Sequence, residues 1–211
     1  MLEIPFWILE IRLEICFEVP TVAAGAAEEP GEEAGEEVAA RGGKDEQHSP
    51  AFLKISPNNK IPAIVDHDTG VSLMESGAIM VYLAEKVGRL LPTDTKGCSR
   101  VMQWLMFQMG GIGPLFGQAH HFMFNPSEVV PYAQERYHKE AKRLYKVMNT
   151  QMQDNRYLAG DDYTVADIAT FPWVDRFRRH QVDLAEFPNV KRWHEELWER
   201  PAVKKGMEVP F

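Results

Sequence analysis

A proline at the second position of a short apolar run, Ile61-Pro62-Ala63-Ile64-Val65, constrains this chain more than any other feature. Proline cannot donate to a sheet ladder, so the run must be a strand that starts or lies at an edge there. An Ile–Pro bond in that place is also open to the cis form. Ser49-Pro50 starts a short helical turn over residues 51–55, and Pro57-Asn58-Asn59 is turn chemistry. Residues 66–70 read as a turn, and Val71-Ser72-Leu73-Met74 as a second short strand. Glu75-Ser76-Gly77 then opens a helix carrying Ile79, Tyr82, Leu83 and Val87 at helical spacing, closed by Gly88. The local pattern is a hairpin that feeds directly into a helix N-terminus.

After a linker over residues 90–94 the apolar period becomes helical throughout. Val101, Trp104, Leu105 and Met109 form one stripe, which Gly110-Gly111-Ile112-Gly113-Pro114 should kink or weaken. Tyr137, Ala141, Leu144, Tyr145, Met148 and Met152 form a second. Thr164-Val165-Ala166-Asp167 is a capping box-like start, with a hydroxyl at the cap and an acid three residues on. Val190, Trp193 and Leu197 make a last amphipathic helix that stops before Pro201. Trp104, Trp173, Trp193 and Trp198 read as helix-core packing. A mixed, strand-bearing segment followed by an all-helical one implies a small α/β domain and a helical domain, with boundaries at residues 1–88 and 97–211.

Charge is segregated. Residues 1–50 hold 12 of the 31 acids but only three of the 23 bases, a net of −9, so the acidity of the chain (−8) lies wholly in the first quarter and the rest is close to neutral. An acidic chain has no general attraction for nucleic acid or an anionic membrane surface. Residues 23–40, AAGAAEEPGEEAGEEVAA, lack a large apolar anchor before Val38 and read as a solvated acidic segment. Before it, Leu2-Ile4-Phe6-Ile8 and Leu13-Ile15-Phe17-Val19 alternate as strands do. Glu3, Glu10, Arg12 and Glu14 break any signal-peptide core in residues 1–17. The two cysteines, Cys16 and Cys98, form no metal or disulfide pattern, which makes a reducing cytoplasm the default. The adjacent His120-His121 pair cannot share one helix face as a metal pair would.

Three motifs carry a resemblance. Asn59-Lys60-Ile61-Pro62-Ala63-Ile64 and Glu75-Ser76-Gly77-Ala78-Ile79 resemble the second half of the thioredoxin-like domain of glutathione transferases. Tyr163-Thr164-Val165-Ala166-Asp167-Ile168-Ala169 resembles the capped core helix of that family's helical domain. Residues 55–65 and Gly117-Gln118-Ala119-His120-His121-Phe122 are similar to the bacterial nu-class branch, which is related to the yeast prion-forming nitrogen regulator. The resemblance covers residues 47–201.

What the resemblance implies is a thioredoxin-like α/β domain followed by an all-α domain, and chemistry on glutathione as cosubstrate, without a metal. Ser76 would take the γ-glutamyl carboxylate and Glu75 its ammonium, although on the residues alone an ordinary helix cap and a well-placed dipole charge serve equally. Ile61, held by a cis Pro62, would pair its backbone with the cysteinyl part of glutathione. Gln47 and Lys60 fall where the family meets the glycyl carboxylate. Gln103 and Arg136 fall where a second subunit of a homodimer lends contacts. The reaction would be thiol–disulfide exchange or conjugation to a small electrophile in the cytoplasm. The branch carries a Thr-Pro-Asn thiolate signature after its first strand, and this chain offers only Val19-Pro20-Thr21, which makes Thr21 the nearest catalytic candidate. Cys16 sits inside an alternating run and reads as structural. Loss of the catalytic loop would leave a non-catalytic glutathione transferase-fold binding protein.

Overall fold

The computed structural model describes residues 22–24, 46–124 and 126–207. The alternating runs before Pro20, Cys16 and Thr21 lie outside the described residues, as does most of the acidic segment. The chain divides into two compact units, Met1–Val87 with Lys205–Phe211, and Gly88–Lys204.

The first unit is built around a three-stranded antiparallel sheet in the order β1 (Val22–Ala24), β2 (Ala63–Asp66), β3 (Val71–Met74). Strand β1 corrects the sequence reading, in which the solvated acidic segment begins at Ala23. It is short and its alanines carry no apolar alternation. What it supplies is main-chain pairing: Val22 opposes Asp66 and Ala24 opposes Ile64, along the side of β2 away from β3. Helix α1 (Pro50–Ile55) starts at a Ser49 cap whose Oγ accepts from the Phe52 amide at 3.2 Å. It buries Phe52 and Ile55 with Ala63, and Ile61, Val65 and Met74 pack around them. Helix α2 (Ser76–Val87) buries Ile79, Met80, Leu83 and Ala84. It ends at Gly88, whose φ of 66° is the left-handed conformation that closes helices.

Asp66 departs from its reading as a turn residue. It is the last residue of β2, and its side chain is fully buried. The Tyr82 hydroxyl donates to Oδ2, Lys86 Nζ lies 2.6 Å from the same oxygen, and the Asp68 amide donates to Oδ1 at 3.0 Å. One carboxylate thus ties the hairpin turn to the last two turns of α2. Burial pushes the Asp66 carboxyl up, but the Lys86 ammonium, the Tyr82 hydroxyl and the Asp68 amide outweigh it and hold the pKa down at about 2. A depressed carboxylate stabilises the fold above its ordinary value and loses that contribution as pH falls toward its folded value. The Asp66 contribution is therefore full above pH 3.8 and disappears toward about pH 2. Asp66→Asn keeps the shape but loses the ion pair. Urea unfolding should show it less stable by about 1–2 kcal/mol at neutral pH, with the gap to wild type closing on acidification. A pH-independent gap would contradict this role.

The second unit is helical: α3 (Thr95–Phe107), α4 (Gly113–Met123), α5 (Pro131–Gln151), α6 (Val165–Val174) and α7 (Pro188–Trp198), with 3-10 turns at Phe177–His180 and Leu184–Glu186. Tyr145, Phe116, Phe171, Trp193, Leu105 and Ile112 are among its fully buried side chains. The glycine-proline interruption does not break the first stripe. Gln108–Ile112 forms a π-helical turn that joins α3 to α4. The wider turn rotates the inward face, so Gln108 and Ile112 are buried while Met109 is only half-buried. A Cβ on Gly113 would lie 2.9 Å from Gln108 Nε2 and 3.6 Å from the Trp173 ring, so glycine there admits both side chains. Helix α7 stops at Trp198 as the sequence implies, but the residue beyond that stop, Pro201, does not end the helices. It opens a further helix, α8 (Pro201–Met207), because proline at a first helical position meets no missing bond.

Asp167 organises this unit. Thr164 N–H and its hydroxyl both donate to Oδ2 at 3.1 Å. Leu158 N–H and Trp193 Nε1–H donate to Oδ1 at 3.0 and 2.9 Å. The capping box legible in the sequence is therefore also the junction of the loop before α6 and of α7. Burial pushes the Asp167 carboxyl up, against the pull of these donors.

Candidate functional site

The hairpin register builds the site. Ala63 pairs with Met74, Ile64 with Leu73, Val65 with Ser72 and Asp66 with Val71. Continuing that register past the end of the ladder sets Pro62 level with Glu75 and Ile61 level with Ser76. The Ile61–Pro62 bond is cis. Pro62 is buried and Ile61 half-buried, so one side of this corner is anchored in the core and the other is open. Ser56 Oγ donates to the Lys60 carbonyl at 2.8 Å and fixes the approach to the corner.

Across from it, Glu75 has a φ of 69°, a left-handed conformation that a non-glycine residue adopts at a cost of about 1 kcal/mol or more. This kink turns β3 directly into α2. The Glu75 carbonyl accepts the Ile79 amide at 3.0 Å, which closes the first helical turn. The Glu75 side chain is exposed and Ser76, the first residue of α2, is half-buried. The N-terminus of α2 carries the positive partial charge of a helix start. The arrangement places an acid beside a helix N-terminus, facing an open backbone edge. It can bind a group that carries a carboxylate and an ammonium on one carbon, attached to an extended peptide.

Ile61 and Pro62 immediately precede β2, and Glu75 and Ser76 immediately follow β3, at the same end of the hairpin. Gln47 lies on the same unit, in the 3-10 turn Glu46–His48, and is buried at 7% exposure. The Lys60 side chain is exposed. Gln103 and Arg136 belong to the second unit, on α3 and α5, and both are exposed. Arg136 lines a cavity of about 690 Å³ with Tyr132, Tyr137, Glu140 and Arg143. Tyr132 is 73% exposed and Met106 is 51% exposed. Among the described residues no group of His, Cys, Asp and Glu could hold a metal ion, and no helix is long and apolar enough to cross a membrane. His120 and His121 instead pack edge-on against Phe124 and Phe122.

Residues 17–85 match the glutathione S-transferase N-terminal domain and residues 114–201 the glutathione S-transferase C-terminal domain. The chain is 49% identical over 170 residues to the disulfide-bond oxidoreductase YfcG of Escherichia coli, covering 78% of this chain and 79% of that protein. It is 40% identical over 176 residues to the disulfide-bond oxidoreductase YghU of the same organism, covering 79% of this chain and 61% of that protein. Among solved structures, a Burkholderia graminis glutathione transferase with two glutathione molecules bound per subunit superposes with a TM-score of 0.77. It is 33% identical and covers 96% of this chain and 94% of its own. A Pseudomonas putida glutathione transferase with one glutathione disulfide bound per subunit gives 0.77 at 35% identity, covering 97% and 98%.

Proposed function

The chain belongs to the glutathione S-transferase family, in its nu-class-like branch, and from that premise we propose that it uses glutathione to reduce small disulfides. The observation that carries this reading is the meeting of the Ile61-Pro62 corner with the Glu75-Ser76 start of α2. The relatives named as disulfide-bond oxidoreductases and the solved structures holding glutathione or its disulfide support it.

In this reading the α2 N-terminus takes the γ-glutamyl carboxylate through backbone amides and the Ser76 hydroxyl. Glu75 pairs with the adjacent ammonium. The Ile61 backbone N–H and C=O pair with the cysteinyl residue as an added strand, and Gln47 and Lys60 serve the glycyl carboxylate. Gln103 and Arg136 belong to contacts from a second copy in a homodimer, on a helical face that leaves Met106 and Tyr132 open. The protein acts in the cytoplasm.

The chemistry balances with glutathione alone. A glutathione thiolate attacks one sulfur of a disulfide, forms a mixed disulfide and expels a thiolate. A second glutathione thiolate attacks the mixed disulfide and yields glutathione disulfide and the second thiol. The two protons lost by glutathione end on the two product thiols. The protein's part is to hold the thiol as thiolate, which a hydroxyl donor and a positive field favour. Thr21 is the residue assigned to that donor.

Turnover separates enzyme from binding protein. Purified protein should reduce 2-hydroxyethyl disulfide at the expense of glutathione. Thr21→Ala should lower kcat by roughly tenfold or more while glutathione affinity holds. Retention on immobilised glutathione with no turnover above the uncatalysed rate would favour the non-catalytic reading.

A further inference from the structure

The Gly88–Lys204 unit carries a second cavity, of about 620 Å³, between the end of α6, the Leu184–Glu186 turn and α7. That volume is in the range of small-molecule sites. Its floor is aromatic. His194 and Trp198 lie one turn apart on α7, with ring centroids 6.3 Å apart and planes 16° from parallel. Phe171 backs both rings, 5.2 Å from His194 and 6.1 Å from Trp198. Phe177 meets His194 edge-on at 5.9 Å. Asp175 Oδ1 lies 2.8 Å from His194 Nε2 and fixes that ring in its plane. The floor is therefore set before any ligand arrives, which lowers the ordering cost of binding.

Trp198 contradicts its reading as core. It is 37% exposed, whereas Trp193 on the same helix is fully buried. An indole held in a rigid stack and left open at a cavity is a platform for another flat ring. The charges on the walls choose its sign. Asp175, Asp183, Glu195 and Glu199 line the cavity against Arg178 and Lys191. Arg178 sits 4.7 Å over the Phe177 ring, and Lys191 lies 3.8 Å from Glu195. Lys204 also lies 2.7 Å from Glu199, so Glu195 and Glu199 are each paired with a lysine, and the negative potential at the cavity comes from Asp175 and Asp183 together with the quadrupoles of the aromatic faces.

We propose that this cavity binds a flat, fused-ring aromatic cation, with Trp198 as the stacking surface and the surrounding carboxylates setting the preference for positive charge. The site uses none of the residues assigned to glutathione, so its failure would leave that assignment intact.

The test is a titration with proflavine, a planar fused-ring cation, in the presence of saturating glutathione. Equilibrium dialysis should show saturable binding of one proflavine per chain with a dissociation constant below about 100 μM. Trp198→Leu should weaken it by roughly tenfold or more, and Trp198→Phe should restore most of the loss because the ring returns. Asp183→Asn with Glu199→Gln should weaken binding by about threefold and flatten its salt dependence. Anthracene-2-sulfonate, flat but anionic, should show no saturable binding. Circular dichroism of each variant checks that it is folded, and disulfide turnover should be unchanged. Wild-type affinity in Trp198→Leu, equal binding of the anionic ring, or no saturable binding of proflavine would each overturn the proposal.

Discussion

Asp167→Ala is expected to destabilise the protein by about 3–5 kcal/mol, the largest loss predicted for any single side chain here. The reason is what the carboxylate leaves behind. Four donors converge on it: Thr164 N–H, the Thr164 hydroxyl, Leu158 N–H and Trp193 Nε1–H. Asp167 and Leu158 are fully buried, and Trp193 is too, so water cannot replace the lost acceptor. The hydroxyl can turn to another partner, but the three N–H groups cannot. Asp167→Asn should cost roughly half as much, since its carbonyl still serves Leu158 and Trp193 while its amino group faces the Thr164 amide. Urea unfolding followed by tryptophan fluorescence gives both values. A loss below about 1 kcal/mol for the alanine variant would mean that these bonds are not the junction described.

The second large effect concerns ligand affinity. Glu75→Ala should raise the dissociation constant for glutathione by roughly 10- to 100-fold, the worth of a charge-assisted bond to the ammonium. Ser76→Ala should raise it by about tenfold, because the hydroxyl is lost and the α2 amides remain. Neither change should harm folding, since Glu75 is exposed and the first residue of α2 tolerates alanine. Glu75→Gly makes the two roles of this residue distinct. Glycine relieves the left-handed backbone at φ 69° yet removes the carboxylate. It should therefore be at least as stable as Glu75→Ala and bind glutathione as poorly. Isothermal titration with denaturant unfolding on the same samples separates the two. Full affinity in Glu75→Ala would remove the acid from the site.

The cradle was legible because its signals are local. A proline confined to a strand start, a short turn and a helix start fall within one stretch of chain, and the hairpin register follows from the turn between the strands. The capping box at Thr164 was legible for the same reason. Its bond to Trp193 was not, since the two residues meet only through tertiary packing. Asp66 was misread because an aspartate before His67 and Asp68 looks like turn chemistry. Its partners Tyr82 and Lys86 lie two helical turns and more along α2. The π-helical turn at Gln108–Ile112 has no composition of its own. It depends on burying a glutamine beside Trp173, which no periodicity announces. Trp198 reads as core from its residue type alone; it sits one residue past Leu197, off the Val190-Trp193-Leu197 stripe, and the packed structure leaves it open. Thr21 lies outside the described residues, and its assignment rests on the Val19-Pro20-Thr21 echo.

The most direct measurement is a crystal structure of this protein grown with glutathione. The γ-glutamyl carboxylate should lie within hydrogen-bond distance of the Ser76 amide and hydroxyl, the ammonium at the Glu75 carboxylate, and the cysteinyl backbone should pair with Ile61. Glutathione seated elsewhere, with the α2 N-terminus and the Ile61-Pro62 corner untouched, would contradict this placement.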